Sequence, residues 1–308
     1  MGTPPLAATV LDALLVEPSL KILAAVTQPD QPRGRDMKLQ PPAVKELALT
    51  RNILVLQPER ARDPLFVEQV RAFRPDLIVV AAYGQILPQA LLDVPRFGCL
   101  NVHTSLLPRY RGAAPIQWAI LNGDSETGVT IMKMDAGLDT GAIVSEESTA
   151  ISAEDNAQTL HDRLARIGGA LLLRTIPAYV GGSLVPRPQP AEGVSYARKI
   201  QREDGRLDWS MPARVLWNRV RGLTPWPGTF TFLQRSPAPV LLKVWSAEVV
   251  SFEPRSPGEI ISVQNDGVLV ACGEGCIKIL ELQREGGKRL SAHAFLAGFP
   301  LKAGEIVK

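Results

Sequence analysis

Through the first 180 residues, short apolar and β-branched runs alternate with segments whose apolar positions recur at helical spacing. The runs Leu20–Thr27, Ile53–Leu56, Leu77–Ala82 and Cys99–Val102 predict strands, and Ala43–Thr50, Pro64–Phe73 and Ala113–Asn122 predict helices between them. Strands apolar on both faces need cover on both, so this alternation predicts a parallel sheet flanked by helices. Two further strands, Thr127–Met134 and Ala142–Thr149, enclose the turn Asp135-Ala-Gly-Leu-Asp-Thr-Gly141. A long amphipathic helix from Asn156 to Tyr179 closes the unit, with Ser152-x-x-Asp155 as its capping arrangement.

The pattern then changes. Gly181–Glu192 is rich in Gly and Pro, and Pro186, Pro188 and Pro190 alternate, as in an extended, stiff connector. A helix is expected at Ala213–Val220, followed by Thr224-Pro-Trp-Pro-Gly228. Short strands recur after it at Thr229–Leu233, Val240–Val250, Gly258–Val263, Val268–Cys272 and Cys276–Leu282. Such spacing predicts a small antiparallel barrel. The expected organisation is an α/β domain at 1–183, a linker at 184–203 and a β-barrel domain at 204–308.

Composition narrows the class. At 308 residues, 45% hydrophobic and 21% charged, the chain is neither disordered nor fibrous. Its longest apolar run, Leu77–Tyr83, is too short to span a bilayer. Three cysteines cannot build a disulfide framework. Cys272 and Cys276 bracket a Gly-Glu-Gly turn, but with only His293 nearby they are too few for a metal site and read as structural. A cytoplasmic protein with no membrane association and no bound metal is expected.

Charge adds a partner. Residues 187–308 carry 17 basic and 12 acidic side chains, against 17 and 19 in residues 1–186. Ser195–Arg221 alone holds seven basic and three acidic ones. That imbalance fits a polyanion partner, although on charge alone a solvated face is the favoured reading.

The candidate chemistry gathers at Asn101-Val102-His103, at the carboxyl end of an apolar strand, where open α/β sheets bind ligands. Alternation along the strand sends Asn101 and His103 to the same side. Asp139, in its glycine-bracketed turn, can reach the same crevice. Singly, a buried histidine and a turn aspartate have ordinary structural readings. Together, an amide, an imidazole and a carboxylate suit acyl transfer to an amine: donors for a developing oxyanion and a path for the proton the amine loses.

Read in order, Gly2-Thr-Pro4, Thr27-Gln-Pro-Asp30, Ala82-Tyr-Gly84, Asn101-Val-His103, Ser105-Leu-Leu-Pro108, Arg111-Gly-Ala-Ala-Pro115, Glu126-Thr-Gly-Val-Thr-Ile131 and Met134-Asp-Ala-Gly-Leu-Asp-Thr-Gly141 closely resemble the methionyl-tRNA formyltransferase family. The resemblance continues through Tyr196-Ala-x-Lys-Ile200, Gly205-Arg-Leu-Asp-Trp-Ser210 and Asn218-x-x-Arg-Gly-Leu-Thr-Pro-Trp-Pro-Gly228. It therefore covers both expected domains.

The resemblance implies a Rossmann-like formyltransferase domain with a mostly parallel sheet, then a small OB-like barrel that binds tRNA. It implies transfer of a formyl group from 10-formyltetrahydrofolate to the amine of methionyl initiator tRNA, releasing tetrahydrofolate, by a monomer and for initiation of translation. It places the catalytic set on Asn101, His103 and Asp139. It places the folate pocket on Tyr83, Gly84, Gln85, Ile86 and Leu87, on Ser105, Leu106, Leu107 and Pro108, and on Gly137 and Leu138. It places tRNA contacts on Arg33, Arg35 and Lys38 in the loop Asp30–Gln40, where family members often have a more basic run than Asp36-Met37. Arg198, Lys199, Arg202, Arg206, Arg219 and Arg221 become candidate phosphate contacts in the same way.

Two alternatives accompany that expectation. One is another folate-dependent amine formyltransferase, of a sugar nucleotide or in the purine pathway; the other is an inactive tRNA-binding relative. The family also has a strand of about half a dozen residues before Gly2-Thr-Pro4, whereas this chain begins at Met1. The expectation is a start assigned too far downstream, or a sheet whose ladder groups lose partners, at about 1–3 kcal/mol for each buried group left unsatisfied.

Overall fold

The expected parallel pairs form, and they carry the site. In the computed structural model, which describes residues 1–33, 37–253 and 255–308, Ala25–Val26 pairs in parallel with Val55–Leu56. Ile78–Val80 pairs in parallel with Cys99–His103. Glu126–Lys133 then adds to Cys99–His103 in antiparallel register, His103 opposite Thr130, and Ile143–Ala150 completes that sheet. Two compact units result: residues 1–115, 126–150 and 161–197, and residues 116–125, 151–160 and 198–308.

The strand expected at Leu20–Thr27 shortens to Ala25–Val26. A strand persists only where its backbone finds ladder partners. Here Leu54 and Leu56 carbonyls accept from Ala25 and Thr27, and on the other side Gly2 N–H donates to Val26 O. Met1 and Gly2 lie between that pair and Ile78–Val80: the Met1 amine donates to Val79 O at 2.5 Å, and Ala81 N–H to Met1 O at 2.9 Å. Burial lowers this amine to about 6. A side chain at Gly2 would meet Ala7 Cβ at 2.4 Å, so only glycine fits.

Helix Pro5–Leu15, absent from the sequence expectation, opens on a proline whose missing N–H is no loss in a first turn. It buries Leu6, Ala7, Val10 and Leu14 at helical spacing. The long helix Ala157–Val180 is capped by Asn156, whose Oδ1 accepts from Gln158 N and Thr159 N at 2.9 and 3.0 Å. Ser152 and Asp155 instead close the turn before it, Ser152 N–H donating to Asp155 Oδ2 at 2.8 Å. We expect Asn156→Ala to lower stability by about 1 kcal/mol, read as an earlier midpoint in urea. Gly168 and Gly169 bring this helix close: a Cβ on them would lie 2.7 Å from Val102 and 2.8 Å from Ala13. The strand bearing Asn101 and His103 is thereby backed by rigid packing.

In the second unit an antiparallel sheet runs in the order Thr229–Leu233, Val240–Val250, Cys276–Arg284, Gly267–Ala271, Ile260–Gln264. Its two outer strands are joined by residues 305–308. Phe232 exchanges both backbone hydrogen bonds with Lys308, Ile260 N–H donates to Glu305 O, and Val307 N–H donates to Gly258 O. The expected barrel is closed in this way, over a core that includes Leu216, Leu233, Val244, Ile277 and Val307. Cys272 and Cys276 are buried within the hairpin, where burial pushes the Cys272 thiol up to about 12. No helix among the described residues is long and apolar enough to cross a membrane.

The unit boundary falls after Ala197, beyond the expected domain end at 183 and inside the expected linker 184–203. Arg187 exchanges backbone hydrogen bonds with Ile143, and Tyr196–Ala197 pairs with Arg111–Gly112. The connector is part of the first unit.

Candidate active site

Strand Cys99–His103 sets Asn101 and His103 on one side, as its alternation requires. His103 is buried, and its Nε2 lies 2.9 Å from the carbonyl of Tyr110. A carbonyl only accepts, so Nε2 carries a proton, and in the neutral form of the ring Nδ1 is the nitrogen that holds the lone pair. Asp139 Oδ2 is 3.8 Å from that Nδ1 and accepts the Gly112 N–H at 2.8 Å. The ring's orientation is thus fixed by a backbone carbonyl, and Asp139 faces it as a charge rather than as a hydrogen-bond partner. Asn101 is half-buried, and its side chain has no hydrogen-bond partner among the described residues. The structure brings His103 and Asp139 together, and the strand sets the Asn101 amide on the same side as His103.

The turn that carries Asp139 is held open by its own residues. Asp135 Oδ1 accepts from Gly137 N and Thr140 Oγ1 at 3.0 and 2.7 Å. A Cβ at Gly137 would sit 2.0 Å from Thr140 Oγ1, and one at Gly141 would sit 1.8 Å from Lys133 O. Asp139 has φ +51°, Tyr110 φ +60° and Ala82 φ +45°. Left-handed backbone at such residues costs on the order of 1–3 kcal/mol each and collects at functional sites.

The expected folate residues divide. Ile86 is 89% and Leu138 62% exposed, and Gly84 and Gly137 are open to solvent. Gln85 is tied to Ala61 N and Glu59 O by its amide. Tyr83 and Leu87 point the other way, into the cluster of Val80 and Leu91. There the Tyr83 hydroxyl has no partner among the described residues, and burial pushes it up to about 12. Ser105 is buried with its hydroxyl on Arg109 O at 2.6 Å. Leu106 is half-buried and Pro108 buried, while Leu107 packs on Met132 and Ile143. Thr130 fixes this loop, donating to Ser105 O and accepting from Leu107 N.

The basic residues divide as well. Lys38 is exposed in the hairpin that pairs Gln31–Arg33 with Lys38–Gln40. Arg35 and the side chain of Arg33 lie outside the described residues. Lys199, Arg202 and Arg206 are exposed. Arg198 instead grips both oxygens of Asp204 and lies over Trp118, which holds the Asp204 carboxyl below its usual range. Arg219 is bound to Asp204 O, and Arg221 to Asn218 Oδ1 and Ser152 O. Those two, singled out from the sequence as phosphate contacts, are half-buried and hydrogen-bonded within the second unit.

Sequence reasoning missed Gln189, Ser195 and the carbonyl of Tyr110. The signal for Gln189 was a lone amide set between Pro188 and Pro190, where only stiffness was read.

Two family models match, one described as formyl transferase over residues 1–176 and one as formyl transferase, C-terminal domain, over residues 199–300. The methionyl-tRNA formyltransferase of Citrifermentans bemidjiense is 50% identical over 307 residues, 100% of this chain and 95% of that protein. The methionyl-tRNA formyltransferase of Caldanaerobacter subterraneus is 46% identical over 310 residues, with 100% and 98% covered. Among solved structures, WlaRD, a sugar 3N-formyl transferase, aligns with a TM-score of 0.65 at 17% identity, over 92% of this chain and 95% of its own. HypX from Aquifex aeolicus in complex with tetrahydrofolic acid aligns with a TM-score of 0.59 at 18% identity, over 85% of this chain and 47% of its own. At those identities the two structures speak to the fold alone.

Proposed function

This chain belongs to the methionyl-tRNA formyltransferase family, and from that membership we propose how its own residues carry a formyl group onto the α-amine of the methionine on initiator tRNA. The observation that supports this most is the approach of His103 and Asp139, with the Asn101 amide on the same side of the strand as His103 and His103 Nδ1 facing the carboxylate.

The donor, 10-formyltetrahydrofolate, supplies an activated formyl group when bound. Exposed Ile86 and Leu138, beside open backbone at Gly84 and Gly137, fit a flat heterocycle that needs apolar contact and main-chain hydrogen bonds. The inward-facing Tyr83, Leu87, Ser105, Leu107 and Pro108 shape that surface from behind.

As the neutral amine attacks the formyl carbon, the new C–N bond forms and negative charge develops on the formyl oxygen. The Asn101 amide donates to that oxygen. His103 Nδ1 takes the proton the amine loses, and the Asp139 carboxylate stabilises the imidazolium that results. The same Nδ1–H then protonates the departing nitrogen as its bond to the formyl carbon breaks, which restores the neutral ring. No protein nucleophile takes part. The tRNA rests on exposed Lys38, Lys199, Arg202 and Arg206, with Arg33 and Arg35 as further basic contacts, so affinity falls steeply with salt. The activity belongs in the cytoplasm and is carried by a monomer.

The test is formylation of methionyl initiator tRNA with 10-formyltetrahydrofolate by this chain. Transfer to the methionine amine is the expected result. Formylation of an amino sugar nucleotide in its place would overturn the reading.

A further inference from the structure

We infer that the connector between the catalytic turn and the barrel is a positioning element of the formyl-transfer site, with Gln189 and Ser195 as its positioning residues; this rests on the reaction proposed above. The stretch 187–197 is mostly exposed, yet Gln189, Ser195 and Ala197 turn inward. Each inward residue grips a loop that carries a reacting group.

Gln189 Nε2 lies 2.7 Å from Asp139 O and 2.8 Å from Gly141 O. Its Oε1 accepts from Arg111 Nε at 3.1 Å and Arg111 Nη2 at 2.7 Å. A primary amide has two N–H donors and an oxygen with two lone pairs, and here all four are engaged. The two carbonyls it spans belong to the turn that holds Asp139 at φ +51°, a left-handed state uncommon outside glycine that hydrogen bonds to its flanking carbonyls support. Gln189 supplies that support from outside the turn.

Ser195 acts on the other partner. Its Oγ accepts the Tyr110 N–H at 2.9 Å, and its carbonyl accepts the Arg111 N–H at 2.9 Å. Tyr110, itself at φ +60°, presents the carbonyl that receives His103 Nε2–H. Ser195 therefore fixes which ring nitrogen of His103 bears the proton, and Gln189 fixes where the carboxylate stands. Pro190 biases the backbone of Gln189, the residue before it, toward the extended form, and Pro188 fixes its own φ just ahead. Tyr196–Ala197 then pairs with Arg111–Gly112, the residue whose N–H holds Asp139 Oδ2. One short segment thus sets both halves of the His103–Asp139 pair.

Two readouts test this, and one of them needs no substrate. The chain has three histidines, so nitrogen NMR on ¹⁵N-histidine protein resolves them, with His161→Gln and His293→Gln to assign the other two rings. At alkaline pH the wild-type His103 signal should show the Nε2–H tautomer alone. Ser195→Ala should turn it into a mixture of tautomers, with His161 and His293 unchanged. In the formylation assay Gln189→Ala should lower kcat by about 10²-fold, the loss expected for a misplacement of about 1 Å, with KM for methionyl-tRNA within about threefold. Gln189→Glu keeps the acceptor for Arg111 but has no N–H for the two carbonyls, so it should not rescue turnover. Gln189→Met, matched in length, replaces Gln189→Ala if the latter does not fold.

An unchanged tautomer in Ser195→Ala overturns the Ser195 assignment. A folded Gln189 variant with kcat within threefold of wild type overturns the Gln189 assignment. If the wild-type chain formylates no methionyl-tRNA, the reaction reading fails, and the tautomer measurement still decides the Ser195 arm.

Discussion

Changing Asp139 to Asn should lower kcat for formyl transfer by about 10³-fold and leave tRNA affinity within about twofold. The substitution is nearly isosteric, and the new side-chain oxygen can still accept the Gly112 N–H that Asp139 Oδ2 accepts now. What disappears is the negative charge 3.8 Å from His103 Nδ1. At an effective dielectric of about 20, a unit charge at that range stabilises an imidazolium by about 4 kcal/mol, which is roughly three decades in rate. The charge matters only once Nδ1 has taken the proton, so the loss falls on turnover and not on binding. Single-turnover rates at saturating substrates, beside filter binding of the tRNA, check this. Equal losses in both would contradict the role given to Asp139.

Asn101→Ala should lower kcat/KM by about 10²–10³-fold, the range for removing one donor from a developing oxyanion. The fold should hardly notice. Among the described residues nothing hydrogen-bonds to the Asn101 side chain, so truncating it strands no buried partner. Thermal unfolding within a degree or two of wild type, together with the kinetic loss, is the expected pair of results. A stability loss that matched the loss of activity would instead make Asn101 a packing residue.

Most of the strand and helix order was legible because burial on two faces leaves an apolar run, and burial on one face leaves a period. Ala43–Thr50, Thr229–Leu233 and Val240–Val250 form as the pattern predicts. Leu20–Ala24 has the same apolar character and is not strand, because pairing depends on a neighbour that local sequence does not encode. Pro5–Leu15 was lost to its prolines, which in a first turn begin a helix instead of breaking one. At the site, Asn101 and His103 were readable from alternation, since two residues apart on a strand fixes their side. The Gly-bracketed turn pointed to Asp139, although no spacing gives its 3.8 Å approach. Tyr110, Gln189 and Ser195 were not readable: one acts through a backbone carbonyl, and the others come from a segment whose composition spoke only of stiffness. Arg219 and Arg221 show the converse, for charge in a sequence does not distinguish a phosphate contact from an arginine hydrogen-bonded within its own unit.

The clasp made by residues 305–308 on the outer strands of the barrel also governs when the barrel can close during synthesis. Phe232 waits for a partner 76 residues downstream and Ile260 for one 45 residues downstream, so neither edge can be sealed until those residues have left the ribosome. At about 5–20 residues per second, that leaves two open strand edges exposed for several seconds on a growing chain. The interval is one in which a chaperone, or a neighbouring nascent chain, meets the barrel before residues 305–308 do.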